Sequence, residues 1–117
     1  MLDALARLFK KPPPGPVWVE VAELRARLAE GSAALILDVR GPDEFEGPLG
    51  HIEGARNIPL PDLGAHKADI AAMGGRVVCV CLTDKRSAAA AAQLAAAGVR
   101  EVSVLRGGMK AWREAGL

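Results

Sequence analysis

The amino-acid sequence predicts a three-layer α/β/α domain: a central, mostly parallel sheet of about five strands with helices on both faces. Three observations carry that expectation. The runs Leu35–Val39 and Val77–Val80 are short and apolar at nearly every position, the pattern of strands buried on both faces. Segments with helical spacing lie between the strand-like runs, and strands alternating with helices pair in parallel. At 117 residues the chain has the length of one domain with a real core.

The elements follow in order. Residues 1–16 read as a segment apart from a domain over residues 17–117. Leu2, Leu5 and Phe9 share one helical face over residues 1–11, and the prolines between Pro12 and Pro16 make a stiff connector. Val17–Val19 is a first short strand. Residues 21–30 form a helix with Val21, Leu24 and Leu28 inward, ended by Gly31. After the strand Leu35–Val39, Pro42 opens a short helix through Phe45, and Gly47–Leu49 is a loop. The stretch Ala55–Ile58 reads as a third strand, and residues 62–72 as a helix carrying a solvated His66. Gly74 and Gly75 punctuate before Val77–Val80. Ser87–Ala97 is alanine-dense, so it forms helix readily and can approach the sheet closely. Gly98 caps it, Val102–Leu105 is the last strand, and Gly107–Gly108 turn into a final helix with Met109 and Trp112 facing the core.

Composition narrows the function classes. Hydrophobic residues make up 50% of the chain and charged residues 25%, as in ordinary globular proteins. A formal net charge of +1 argues against a nucleic-acid partner that needs a broad basic face, with Lys85 and Arg86 as a local patch, so no nucleic-acid partner is expected. No run reaches the length of a membrane span, and Asp3 and Arg7 interrupt what would be the apolar core of a secretory signal. Cys79 and Cys81 sit two apart in one strand, too close to bridge without distorting it, which fits a reducing cytoplasm. No Cys or His set has metal-ligand spacing, and neither a metal nor a cofactor is expected.

The chemistry concentrates at Cys81. An apolar strand ending in a cysteine, then the polar stretch Leu82, Thr83, Asp84, Lys85, Arg86 and Ser87, then a helix, places that thiol where α/β proteins put their sites. With a helix starting near Ser87, the N–H groups of residues 82–87 can surround one point, and the helix dipole adds positive charge there. Lys85 and Arg86 add two cations, so Cys81 is expected to ionise to a nucleophilic thiolate. Cys79 reads as a small buried hydrophobe, with a resolving role as the sharper alternative.

Cys81–Ser87, of the form Cys-x-x-x-x-Arg-Ser, resembles the active-site loop of the rhodanese family, whose members carry sulfur on one cysteine. Leu35–Arg40, Asp43–Phe45, Gly50–Pro59 and Leu105–Trp112 resemble further family segments in the same order, so the likeness runs over roughly residues 17–117. It implies a rhodanese-like fold and a sulfurtransferase. A donor such as thiosulfate or a persulfide would pass its outer sulfur to Cys81, and a thiol or cyanide would accept it. Residues 82–87 would bind the donor, with Lys85 and Arg86 drawing in its negative charge. Asp38 and Arg40 would support the site, with acid/base work by Asp38 the lesser reading. His51 would pack a turn rather than act as a base.

The six-residue loop Cys81–Arg86 resembles that of the family's sulfurtransferases, one residue shorter than in the related phosphatases, which makes a phosphatase-like enzyme the weaker alternative. A sulfur-carrier or docking module within a sulfur-relay complex is the non-enzymatic one. Many family loops have glycine where this chain has Asp84. A carboxylate there is expected to tolerate a left-handed backbone and, unless it points outward or pairs with Lys85, to oppose thiolate formation and thiosulfate entry.

Overall fold

The computed structural model describes residues 16–32 and 34–117. The amphipathic segment expected over residues 1–11, and all of the 12–16 connector but Pro16, lie outside the described residues. Among the described residues five strands form one sheet: β1 (Trp18–Val19), β2 (Leu35–Asp38), β3 (Arg56–Asn57), β4 (Val77–Val80) and β5 (Val102–Leu105). Their spatial order is β1-β5-β4-β2-β3, and every pairing is parallel. Parallel neighbours require crossovers, which are supplied by α1 (Val21–Ala29), α2 (Pro42–Phe45), a 3-10 helix (Leu60–Ala65) leading to α3 (Lys67–Met73), and α4 (Lys85–Ala96). α5 (Gly108–Glu114) closes the chain.

Side chains alternate across each strand, and this splits the core in two. Leu37, Val77, Cys79, Cys81 and Val104 face Leu63 of the 3-10 helix, Ile70 of α3, and Ala90, Ala91 and Leu94 of α4. Ile36, Val78, Val80 and Leu105 face Leu24 of α1 and Met109 and Trp112 of α5. Strands apolar at successive positions therefore serve two helical layers. Leu24 is fully buried, whereas Val21 and Leu28 of the same helix are only partly so.

The sheet order also explains which helices share a face. From β1 to β3 the chain advances toward the β3 edge, and from β3 to β5 it returns. Crossovers between parallel strands are right-handed, so reversing direction moves the helices to the other face. The connections leaving β2 and β4 diverge, one toward β3 and the other toward β5. Between the C-terminal ends of these neighbours lies the crevice where open parallel sheets bind ligands.

Most element ends fall within one residue of the sequence expectation, and two regions differ by more. The single helix expected over residues 62–72 is a 3-10 helix followed by α3, joined at His66. Pro61 supplies no N–H and Gly64 weakens helix, so the first turns are tighter and end in a Leu63–His66 backbone bond. α4 begins at Lys85 rather than Ser87, because the Asp84 carbonyl accepts the Ala88 N–H at 2.9 Å. Lys85 and Arg86 therefore belong to the first helical turn, not to a preceding loop.

Candidate active site

Cys81 leaves β4 on the α4 side of the sheet and is only 1% exposed. Its Sγ accepts the Ser87 N–H at 3.3 Å and lies 3.2 Å from Ser87 Oγ. The N–H groups of a first helical turn have no partner inside the helix, so the Ser87 N–H is free to meet the thiol at the positive end of the dipole. Ser87 Oγ also donates to the Asp84 carbonyl at 3.1 Å. In that state it can accept the Cys81 S–H, and on ionisation its hydroxyl can rotate to donate to the thiolate.

The loop carbonyls are taken up from the other side by the start of α5. Met109 N donates to the Cys81 carbonyl at 2.9 Å and Lys110 N to the Leu82 carbonyl at 3.1 Å. Gly108 makes this approach possible. A Cβ at this position would lie 2.3 Å from the Cys81 oxygen and 2.6 Å from that of Thr83, and its φ is +56°.

Asp84 departs from expectation. Its φ of −134° lies outside the left-handed region, so no special tolerance is needed. Its carboxylate neither pairs with Lys85 nor caps its own helix; it accepts the Gly107 N–H at 2.7 Å. The charge is placed on a backbone donor across the loop. Leu82 and Thr83 are exposed at the rim, as is Lys85.

Arg86 is held from across the crevice. Its Nη1 and Nη2 donate to Oε1 and Oε2 of Glu44 on α2 at 2.6 and 3.0 Å. Both side chains are about one third exposed, at 36% and 39%. The bidentate bond to Arg86 holds the Glu44 carboxyl below its usual 4.5, outweighing the upward push of burial. The same bond, with the negative charge of Glu44 beside it, raises Arg86.

Beneath Glu44 lies the buried pair Asp38–Arg40, each 1% exposed. Arg40 Nε and Nη2 donate to Asp38 Oδ1 and Oδ2 at 3.0 and 2.8 Å. The guanidinium also donates to the carbonyls of Glu44 at 3.1 Å and Gly50 at 2.7 Å. Asp38 thus fastens Arg40, and Arg40 fastens the α2 turn that carries Glu44. Both carboxylate oxygens of Asp38 face Arg40. His51 stacks on Phe45 at 3.6 Å and uses Nδ1 on the Phe45 carbonyl, within the same turn.

Cys79 lies on the same face of the sheet, fully buried, and burial reinforced by the neighbouring Cys81 pushes its thiol up to about 12. It remains protonated at neutral pH and is a core side chain. A cavity of about 430 Å³ lined by Leu35, Arg56, Met73 and Arg76 opens at the N-terminal ends of β2 and β4, a strand length away from Cys81.

The sequence reading singled out Cys81, residues 82–87, Asp38 and Arg40, and missed two parts of the constellation. Glu44 carries no local sign of pairing 42 residues downstream. Gly108 was read only as a turn, although a glycine pair straight after a strand is a signal of close backbone approach.

Residues 20–115 match the rhodanese-like domain family. The chain is 46% identical over 79 residues to YqhL of Bacillus subtilis (strain 168), covering 68% of this chain and 60% of that protein. This chain therefore spans less than two thirds of that relative. It is 34% identical over 96 residues to thiosulfate sulfurtransferase GlpE of Ectopseudomonas mendocina (strain ymp), covering 80% of this chain and 83% of that one. The crystal structure of a rhodanese-related protein from Thermoplasma volcanium superposes with a TM-score of 0.72 at 30% identity, covering 86% of this chain and 93% of the other. A family match across most of the chain, together with the fold shared with that solved structure, makes this protein a member of the rhodanese-like domain family.

Proposed function

We propose that the protein is a sulfurtransferase in which Cys81 carries sulfane sulfur between a donor and a thiophilic acceptor. Family membership and the likeness to a thiosulfate sulfurtransferase support the reaction class. The observation that carries the assignment to Cys81 is its Sγ on the first turn of α4, with Ser87 N and Oγ in reach.

In the loading step the Cys81 thiolate attacks the outer sulfur of the donor. From thiosulfate, the S–S bond breaks, sulfite leaves with its electron pair, and Cys81 becomes a persulfide anion. From a persulfide R–S–SH, the thiolate R–S⁻ leaves and Cys81 becomes Cys–S–SH. In the second step an acceptor thiolate or cyanide takes the outer sulfur and restores the Cys81 thiolate. No net oxidation occurs and no cofactor is needed. Residues 82–87 line the entry, the amides at the head of α4 stabilise the anionic persulfide, and Asp38 with Arg40 supports the α2 turn beside it.

A carrier role, in which the persulfide is handed on within a relay complex, is favoured by one observation: Cys81 is almost wholly covered, so an acceptor must reach in to meet it. A reducing compartment such as the cytoplasm would suit two free cysteines, one of them the working thiol.

The test is the intact mass of reduced protein after incubation with thiosulfate or a small persulfide, with peptide mapping to separate Cys81 from Cys79. One added sulfur on Cys81, removed by cyanide and absent from Cys81→Ser, is expected. Equal loading of Cys81→Ser, or no loading from either donor, overturns the reading.

A further inference from the structure

The first turn of α4, which meets Cys81, also carries the cation Arg86, and the same structure has already spent it. Arg86 points both arms of its guanidinium at Glu44, at 2.6 and 3.0 Å. Bidentate guanidinium–carboxylate geometry is the geometry in which a guanidinium would otherwise grip the oxygens of a sulfonate. Glu44 is itself held. Its Oε1 accepts the Gly41 N–H at 3.3 Å, and the Glu44 carbonyl accepts from buried Arg40. The carboxylate is therefore fixed on the rim of the crevice by the turn after β2, facing a cation from the turn after β4. Asp84, the acid within the loop, plays no such part, because its oxygen is bonded to Gly107 N.

Resting on the reading of Cys81 as the sulfur carrier, we infer that Glu44 is a specificity-determining residue: by occupying Arg86 it acts as a built-in competitor of small dianionic donors and favours thiol persulfides. A thiosulfate ion must either displace a tethered carboxylate from Arg86 or enter without that cation, with the Glu44 charge beside it. A persulfide R–S–SH presents only sulfur and a hydrogen at the reacting end. It needs no guanidinium, and the leaving thiolate carries one negative charge where sulfite carries two.

The test compares sulfur loading of Cys81 in the wild type and in Glu44→Gln, using as donors thiosulfate and an alkyl persulfide with no charged group other than its S–SH. The ratio of kcat/KM for thiosulfate over persulfide is expected to rise about tenfold at low ionic strength, through a lower thiosulfate KM, and less at high salt. Glu44→Ala should move the ratio the same way. The gain should vanish in Glu44→Gln/Arg86→Gln, because the freed guanidinium is its source. An unchanged ratio, or a higher thiosulfate KM in both single variants, would mean that Glu44 merely positions Arg86 and overturns the inference. The pair is partly exposed, so little loss of stability is expected in the single variants. If Cys81 accepts sulfur from neither donor in any variant, the sulfur-carrier reading fails instead. Protection of Cys81 from alkylation by thiosulfate still reports whether removing Glu44 opens Arg86 to an anion.

Discussion

The carboxylate of Asp84 accepts the backbone N–H of Gly107 at 2.7 Å, and this bond ties the loop after β4 to the head of α5. It stands beside two backbone bonds of the same stitch, from Met109 N and Lys110 N to the carbonyls of Cys81 and Leu82. The loop is shaped from both sides: α5 takes its carbonyls, while the first turn of α4 offers the Ser87 N–H to the sulfur.

Removing Asp84 should therefore harm the site rather than relieve it. The sequence alone pointed to a carboxylate that opposes thiosulfate entry, so that Asp84→Gly would speed thiosulfate use by loss of a repelling charge. With the charge placed on Gly107 N, that substitution leaves a backbone donor unpaired and adds a flexible residue, at a cost of about 1–2 kcal/mol. Asp84→Gly is expected to melt earlier and to load sulfur more slowly, whereas Asp84→Asn keeps an acceptor oxygen and most of both properties. Thermal denaturation and single-turnover loading would check this. Faster loading in Asp84→Gly would return the argument to simple repulsion.

Gly108→Ala is the severest single methyl this structure offers. Its Cβ would press on the carbonyl oxygens of Cys81, Leu82 and Thr83 at 2.3 to 2.7 Å, at a φ of +56°. The backbone conformation alone costs about 1–3 kcal/mol, and the carbonyls must shift in addition. Sulfur loading is expected to collapse, with a lower melting temperature. Gly64→Ala serves as a control, since nothing lies within 4 Å of its added Cβ. Equal behaviour of the two variants would mean that the α5 stitch does not shape the loop.

The Glu44–Arg86 pair predicts an acid limb in stability. Glu44 titrates below 4.5 in the folded protein, chiefly through its bond to Arg86. A carboxylate depressed on folding contributes stability above its unfolded pKa and loses it as the pH falls through the folded value. The stability advantage of the wild type over Glu44→Gln should hold at neutral pH and shrink below 4.5. Denaturation curves of both proteins taken from neutral into acid conditions test it. A gap that stays constant across that range would show that the carboxylate charge contributes nothing to the pair.

How far the sequence reached differs between fold and site. Strand positions were legible because a strand in a parallel sheet must be apolar on two faces, and Val77–Val80 could scarcely be anything else. The split of 62–72 into a 3-10 helix and α3 was harder to see, since Pro61 and Gly64 change the kind of helix without ending it. The early start of α4 was hidden because Asp84, a good cap by type, sends its side chain to another element. Cys81 was legible as the strand-end nucleophile candidate from the apolar run before it and the polar, then alanine-rich, run after it.

The chain by itself determined the alternation of strand and helix, the thiol at the end of a buried strand, and the order of segments that mark the family. Those are local or periodic properties, written in neighbours a few residues apart. Only the tertiary structure decided where the charges went. Asp84 meets Gly107 across 23 positions and Arg86 meets Glu44 across 42, because the reversal of strand order brings the turns after β2, β4 and β5 to one end of the sheet. An ion pair depends on distance in space, and no local pattern of residue types records which acid will face which base.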